Sequence, residues 1–91
     1  MTFRSLLNVL LVSAALCAQA AFAAPDQVNV NSADAATLAA VLDGVGLARA
    51  EAIVAYRQEH GRFADIYDLA NVKGIGDRTI ELNEERILLT D

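Results

Sequence analysis

The sequence predicts an all-α domain of four short helices preceded by an apolar leader helix, and three observations carry that prediction. Apolar residues in the last 68 positions recur at helical spacing, whereas alternation with period two is confined to Val28-Asn29-Val30. A short phrase occurs twice, thirty positions apart, as Leu42-Asp43-Gly44-Val45-Gly46 and Val72-Lys73-Gly74-Ile75-Gly76. Residues 1–23 differ in kind from the rest, being apolar with one cation and no carboxylate.

That leader opens with Arg4, runs apolar from Leu6 through Leu16 and closes on Ala21-Phe22-Ala23. A cation that stays on the cytoplasmic side, an apolar span and small residues at a peptidase site are the three parts of a secretory signal peptide. Cleavage is expected after Ala23, with Ala24 as the neighbouring site, which makes the mature chain periplasmic. The alternative is an anchor formed by the uncleaved helix, because Leu6 to Ala24 approaches the length of a bilayer span. Cys17 is the only cysteine. It follows Leu16 rather than a small residue, so it reads as an ordinary leader residue and leaves the exported part without thiol chemistry. Residues 24–31 then form a short lead-in, and 32–91 the domain.

Charge limits the partners. Beyond the leader six Lys and Arg face twelve Asp and Glu, a net charge of −6. Such a balance opposes nucleic acid at long range, so any grip on phosphate must be local.

The elements follow in order. Asn31 or Ser32 is placed to cap a first helix, with Asp34 in its first turn facing the positive end of the dipole. Leu38, Val41 and Leu42 fall on one face at i, i+3 and i+4. Gly44-Val45-Gly46 interrupts, and a second helix runs to about His60 with Ala50, Ile53 and Val54 inward, ended by Gly61. A third, short helix spans about Asp65 to Ala70, burying Ile66 and Leu69 under Phe63 and Tyr67. The fourth starts near Asp77, turns Ile80 inward and runs out around Arg86 to Ile87.

Two helices joined by a glycine turn, twice over, make a tandem helix-hairpin-helix. The spacing predicts that each glycine pair adopts backbone angles open mainly to glycine and lets a ligand approach the main chain, since a Cβ is missing. Val45 or Ile75, between the glycines, points into the core and pins the turn. The N–H groups beyond the second glycine have no partner within their helix and sit at its positive end, where they can receive an anion. One such turn is weak evidence, because glycines commonly only separate helices. Two in register, each with an apolar residue between the glycines, point to nucleic-acid backbone.

The stretch from Val28 to Ile87 resembles the ComEA family, exported or membrane-anchored competence proteins that receive double-stranded DNA during transformation. The matching residues are Val28-Asn29-Val30-Asn31-Ser32-Ala33, Gly44-Val45-Gly46 with Ala50 and Ile53, Ala55-Tyr56-Arg57 through Gly61-Arg62-Phe63, and Asp68-Leu69 leading to Val72-Lys73-Gly74-Ile75-Gly76. The resemblance implies double-stranded DNA as partner, bound by its phosphates without regard to sequence; envelope DNA-uptake machinery stays open as a further partner, and so does self-association, because 68 residues bury a limited core that dimerisation could stabilise. Carried over by position, Gly44, Gly46, Gly74 and Gly76, with Val45 and Ile75 between them, form the phosphate cradles. Arg49, Lys73 and Arg78 add charge-assisted contacts.

The chain departs from the family pattern in three places. Asp43 stands where proline is frequent and Asp77 flanks the second turn, so a carboxylate lies beside each cradle and the first hairpin is expected to grip more weakly. Asn83 stands where an apolar residue is usual, three positions beyond Ile80, which predicts a shifted or frayed last turn. Glu84 and Glu85 replace a region that is often basic.

Elsewhere the chain offers no chemistry. Glu81, Glu84 and Glu85 with Arg78 have the spacing of an ion-paired surface, and His60 lacks metal-ligating neighbours. No nucleophile and base recur in a catalytic spacing, so neither an enzyme nor a cofactor is expected. A second class stays open, because hairpin pairs also serve as protein-docking or purely structural modules in the envelope, and the charge of −6 suits that role. The discriminating question is whether Arg49, Lys73 and Arg78 converge with both glycine turns.

Overall fold

The computed structural model describes residues 26–91; the leader expected over residues 1–23 lies outside the described residues. Six elements follow one another: β1 (Val28–Asn29), α1 (Ala35–Val41), α2 (Gly46–His60), a 3-10 helix (Ile66–Asn71), α3 (Asp77–Leu82) and β2 (Ile87–Leu88). The domain is mostly helical with four helices, as its periodicity predicts, and α1 packs on α2 while the 3-10 helix packs on α3.

The all-α reading needs one correction. β1 and β2 pair in parallel, Val28 opposite Ile87 and Asn29 opposite Leu88. The Val28 N–H donates to Arg86 O at 2.8 Å and the Val30 N–H to Leu88 O at 3.0 Å. Two residues per strand are too few to leave a period in the sequence. The pairing nonetheless buries Val28, Val30 and Ile87, so the segment read as a lead-in supplies two core residues. Residues 26–91 therefore close a hydrophobic core of their own, with their two ends joined.

Asp34, expected in the first turn of α1, is its N-cap: its Oδ1 accepts the Thr37 N–H at 2.8 Å. Asn31, a candidate for that cap, is drawn elsewhere. Its Oδ1 accepts the Phe63 N–H at 2.6 Å, and its Nδ2 donates to Phe63 O at 3.0 Å and Leu89 O at 2.9 Å. One carboxamide thus ties the amino-terminal segment to the connector behind α2 and to the carboxyl-terminal tail. A cap needs only a short side-chain acceptor, which Asp34 provides, whereas satisfying both main-chain groups of one residue needs an amide.

Helix α1 and the 3-10 helix end alike. Leu42 and Val72, thirty residues apart, leave their helices with φ −84°, ψ 120° and φ −81°, ψ 129°. Helix α2 buries Ala50 and Ile53 completely and Val54 partly, and stops at Gly61, φ +94°, whose N–H donates to Arg57 O. The third element, expected as an ordinary short helix from Asp65, is 3-10 throughout. Asp65 and Asp68 cap its start reciprocally: Asp65 Oδ1 accepts the Tyr67 N–H at 2.8 Å, and Asp68 Oδ2 the Asp65 N–H at 3.1 Å. Leu69 and Phe63 are buried. Tyr67, expected as a lid, is 45% exposed, and the ring over Phe63 is Tyr56, stacked at 5.4 Å.

Helix α3 is shorter than expected and ends at Leu82. Asn83 follows, and it is neither frayed nor exposed: it is 1% accessible, the one buried polar residue of the described core. In the thirty-residue register it corresponds to Ile53. Its Oδ1 accepts the Asp43 N–H at 2.8 Å, and its Nδ2 donates to Asp43 O and Thr79 O, each at 2.9 Å. Burying an isoleucine side chain contributes about 1.5–3 kcal/mol. Three part-buried hydrogen bonds at about 0.5–1.5 kcal/mol each reach the same range, so the amide is a substitute for core packing rather than a defect.

Asn83→Leu, which fills the space but leaves the main-chain N–H and C=O of Asp43 without partners, is expected to lower stability by about 1–3 kcal/mol in urea unfolding. A second expectation concerns acid. The Thr37 hydroxyl, and after it the Thr37 N–H, hold the Asp34 carboxyl below its ordinary pKa of 3.8. A pKa lower in the folded than in the unfolded chain gives stabilisation that is complete above 3.8 and is lost as pH falls through the lowered value. Asp34→Asn retains a capping oxygen without the charge, so its melting temperature should fall less steeply below pH 3.8 than that of the unsubstituted chain.

Candidate functional site

Both glycine turns present main chain to solvent and side chain to the core. Gly44, Gly46, Gly74 and Gly76 are exposed, while Val45 and Ile75 are only 4% and 6% accessible. The side chains of these two candidate residues are thus unavailable to a ligand, and only their backbone remains at the surface. A Cβ built at Gly44, Gly46 or Gly76 would meet no heavy atom within 4 Å. The faces of these turns are open, and the first-turn N–H groups of α2 and α3 have no intrahelical acceptor.

The two turns are not copies. Gly44, Gly46 and Gly74 have φ of +77°, +72° and +93°, the left-handed region that side chains resist. Gly76 does not: as N-cap of α3 it has φ −108° and ψ 173°, an extended conformation open to any residue. The expectation that every glycine of both pairs is needed for its backbone angles is corrected at this position. Gly46 lies inside the first turn of α2, whereas its counterpart Gly76 precedes α3, and this shift by one residue changes the angle.

Arg49 joins the turns. Its Nη1 donates to Gly44 O at 3.3 Å, and its Nε lies 2.9 Å from where a Cβ on Gly74 would stand, with Cδ and Cγ at 3.3 Å. One side chain therefore touches the main chain of the first hairpin and lies across that of the second. The missing Cβ of Gly74 makes room for it, a second reason for glycine there besides φ. Arg49 is exposed, so the guanidinium remains accessible to a ligand at this junction.

Lys73 and Arg78 are also exposed, and neither forms a hydrogen bond or ion pair among the described residues. The ion pairing expected between Arg78 and Glu81, Glu84 or Glu85 is not formed. Burial first, and then Glu84, Glu81, Asp77 and Asp65, raise the pKa of Tyr67. His60 is exposed beside Glu59, its ring 4.4 Å from that of Tyr56. Among the described residues no group of His, Cys, Asp and Glu has the arrangement of a metal site.

Sequence reasoning missed Arg86. Its Nη1 lies 3.2 Å from Asp43 Oδ2 and 3.4 Å from Val41 O, so the carboxylate beside the first turn is paired. No local spacing links positions 43 and 86. The available signal was the repeat itself, which sets Asn83 against Ile53 and asks where a buried amide in that place finds its partners.

The same substitution is expected to act oppositely in the two hairpins. Gly46→Ser places a side chain at positive φ and should destabilise by about 1–2 kcal/mol. Gly76→Ser puts a preferred N-cap residue at an extended position and should leave thermal stability unchanged or raised, which differential scanning calorimetry can read directly.

Comparison with known proteins agrees with this architecture. The helix-hairpin-helix motif family matches residues 24–88, the greater part of the chain. An uncharacterised protein of Haemophilus influenzae is 44% identical over 63 residues, 69% of this chain and 56% of that protein. ComE operon protein 1 of Bacillus subtilis is 48% identical over 54 residues, 59% of this chain and 26% of its own length. The chain thus spans little more than half of one relative and about a quarter of the other. With two glycine turns between paired helices, and with these relatives, the chain belongs to the helix-hairpin-helix family as a ComEA-like protein.

Proposed function

We propose that this chain is an exported, sequence-independent double-stranded DNA-binding protein that acts in DNA uptake during transformation, as a binding module without catalysis or cofactor. The observation that supports it most is the contact of Arg49 with both glycine turns, which makes one surface of two exposed main-chain segments. In this reading the turn N–H groups receive phosphates, while Arg49, Lys73 and Arg78 supply charge-assisted contacts. Contacts of this type go to the sugar-phosphate backbone and read no base, so sequence is ignored. The likeness to ComE operon protein 1 supports placing that binding in DNA uptake. The leader pattern supports export to the periplasm, where partners would be the uptake machinery and further copies of the chain.

A net charge of −6 beyond the leader, together with exposed Tyr67 and Leu82, favours a second reading in which the hairpins dock an envelope protein and no DNA. Fluorescence anisotropy with a labelled random-sequence duplex over a range of salt separates the two. Three cations at the surface predict a slope of log K against log salt of about −3, and Lys73→Ala with Arg78→Ala should bring it to about −1 with an unchanged circular dichroism spectrum. Binding that is absent at low salt would turn the search to a protein partner. Affinity unchanged in the double variant would remove these side chains from the contact.

A further inference from the structure

Asp43 immediately precedes Gly44, so its carboxylate stands beside the turn that the preceding section assigns to phosphate. Left unpaired, it would repel an anion there and oppose the amide groups. At the second hairpin the residue thirty positions on is Lys73, a cation that stands against the Asp77 carboxylate on the other side of that turn. The first hairpin has its cation from a distance: Arg86 Nη1 lies 3.2 Å from Asp43 Oδ2.

We propose that Arg86 is a positioning residue for phosphate binding at the first hairpin, neutralising Asp43 and so giving that turn the charge balance that Lys73 gives the second. The proposal rests on the DNA-binding reading above and deepens it.

Three observations carry it. First, the pair is half-exposed, 46% for Arg86 and 55% for Asp43, and ion pairs at such exposure contribute little to stability. Its main consequence is the local field. Second, Arg86 is held in place by main chain. Its N–H donates to Asn83 O at 2.8 Å and its carbonyl accepts the Val28 N–H at 2.8 Å, so the residue sits between the end of α3 and the parallel strand pair. The same Nη1 donates to Val41 O at 3.4 Å, which directs the side chain along the end of α1 toward the turn. Third, Asp43 is held as firmly from the other side. The Asn83 carboxamide takes both its N–H and its C=O, which fixes where its carboxylate projects. Asn83 and Arg86 together determine the position and the charge of the residue that opens the first turn.

The test is a double-mutant cycle on the full chain, read by anisotropy with a labelled random-sequence duplex at low salt and by thermal unfolding. Arg86→Gln exposes the Asp43 charge and should weaken binding by roughly three- to tenfold, an effect that fades as salt screens it. Asp43→Asn should bind at least as tightly as the unsubstituted chain. The double variant Asp43→Asn with Arg86→Gln should return to within about twofold of it, because neither charge remains. Unfolding temperatures should stay close together throughout, so that affinity changes are not loss of fold.

Affinity unchanged by Arg86→Gln would overturn the proposal. A double variant as weak as Arg86→Gln alone would also overturn it, since Arg86 would then be a direct phosphate contact. Both results presuppose that the unsubstituted chain binds the duplex; if it does not, the DNA-binding reading fails and this proposal with it.

Discussion

A main-chain N–H and C=O withdrawn from water cost about 1–3 kcal/mol if they find no partner, and a turn between two helices exposes its core-facing residues to that penalty. At Asp43 both groups are taken up by one side chain, the buried carboxamide of Asn83. The contact spans forty residues and joins the first glycine turn to the end of the last helix. Apolar packing between the two hairpins fixes distance but not the orientation of a turn, and this buried amide supplies the orientation. Asn31 repeats the device, closing on the N–H and C=O of Phe63 and reaching Leu89 as well. Two carboxamides thus lock both the turn and the connector in register.

Features that look like separate departures from the ComEA pattern are one unit. A proline at position 43 would have no N–H for the Asn83 carbonyl oxygen to accept. An apolar residue at position 83 would leave the Asp43 main chain unpaired. Asp43 and Asn83 therefore suit each other, and Arg86 completes the set by pairing with the carboxylate that the arrangement brings to the surface. The cost of a buried polar residue is offset by hydrogen bonds, and the cost of the surface anion Asp43 by Arg86, three residues beyond Asn83.

The architecture is a repeat whose two copies carry different loads. The first hairpin leads into a helix of 15 residues, the second into one of six. The first requires positive φ at both glycines, the second only at Gly74. At Gly76 a glycine stands where geometry demands none and no neighbour crowds it, so its small size is open to a role at the surface rather than in the backbone. Arg49 bridges the copies, touching Gly44 and lying across Gly74, and sets them side by side as one exposed face.

What the sequence determined by itself was the helical period and the place of the glycine turns. Leu38, Val41, Ala50, Ile53, Leu69 and Ile80 are buried as their helical period requires, and Gly44, Gly46 and Gly74 take the angles that a tight hairpin imposes. Val45 and Ile75 point inward for the same reason. The tertiary structure alone decided what depends on contacts between distant residues: the β1–β2 pairing, the transfer of Asn31 from helix cap to clamp, the burial of Asn83 and the pairing of Arg86 with Asp43. Periodicity reports which side of a helix meets the core, because that is set by rotation per residue. It carries no information on which polar group an inward-facing amide or a surface arginine will meet, since that partner is chosen by packing of segments thirty or more residues apart.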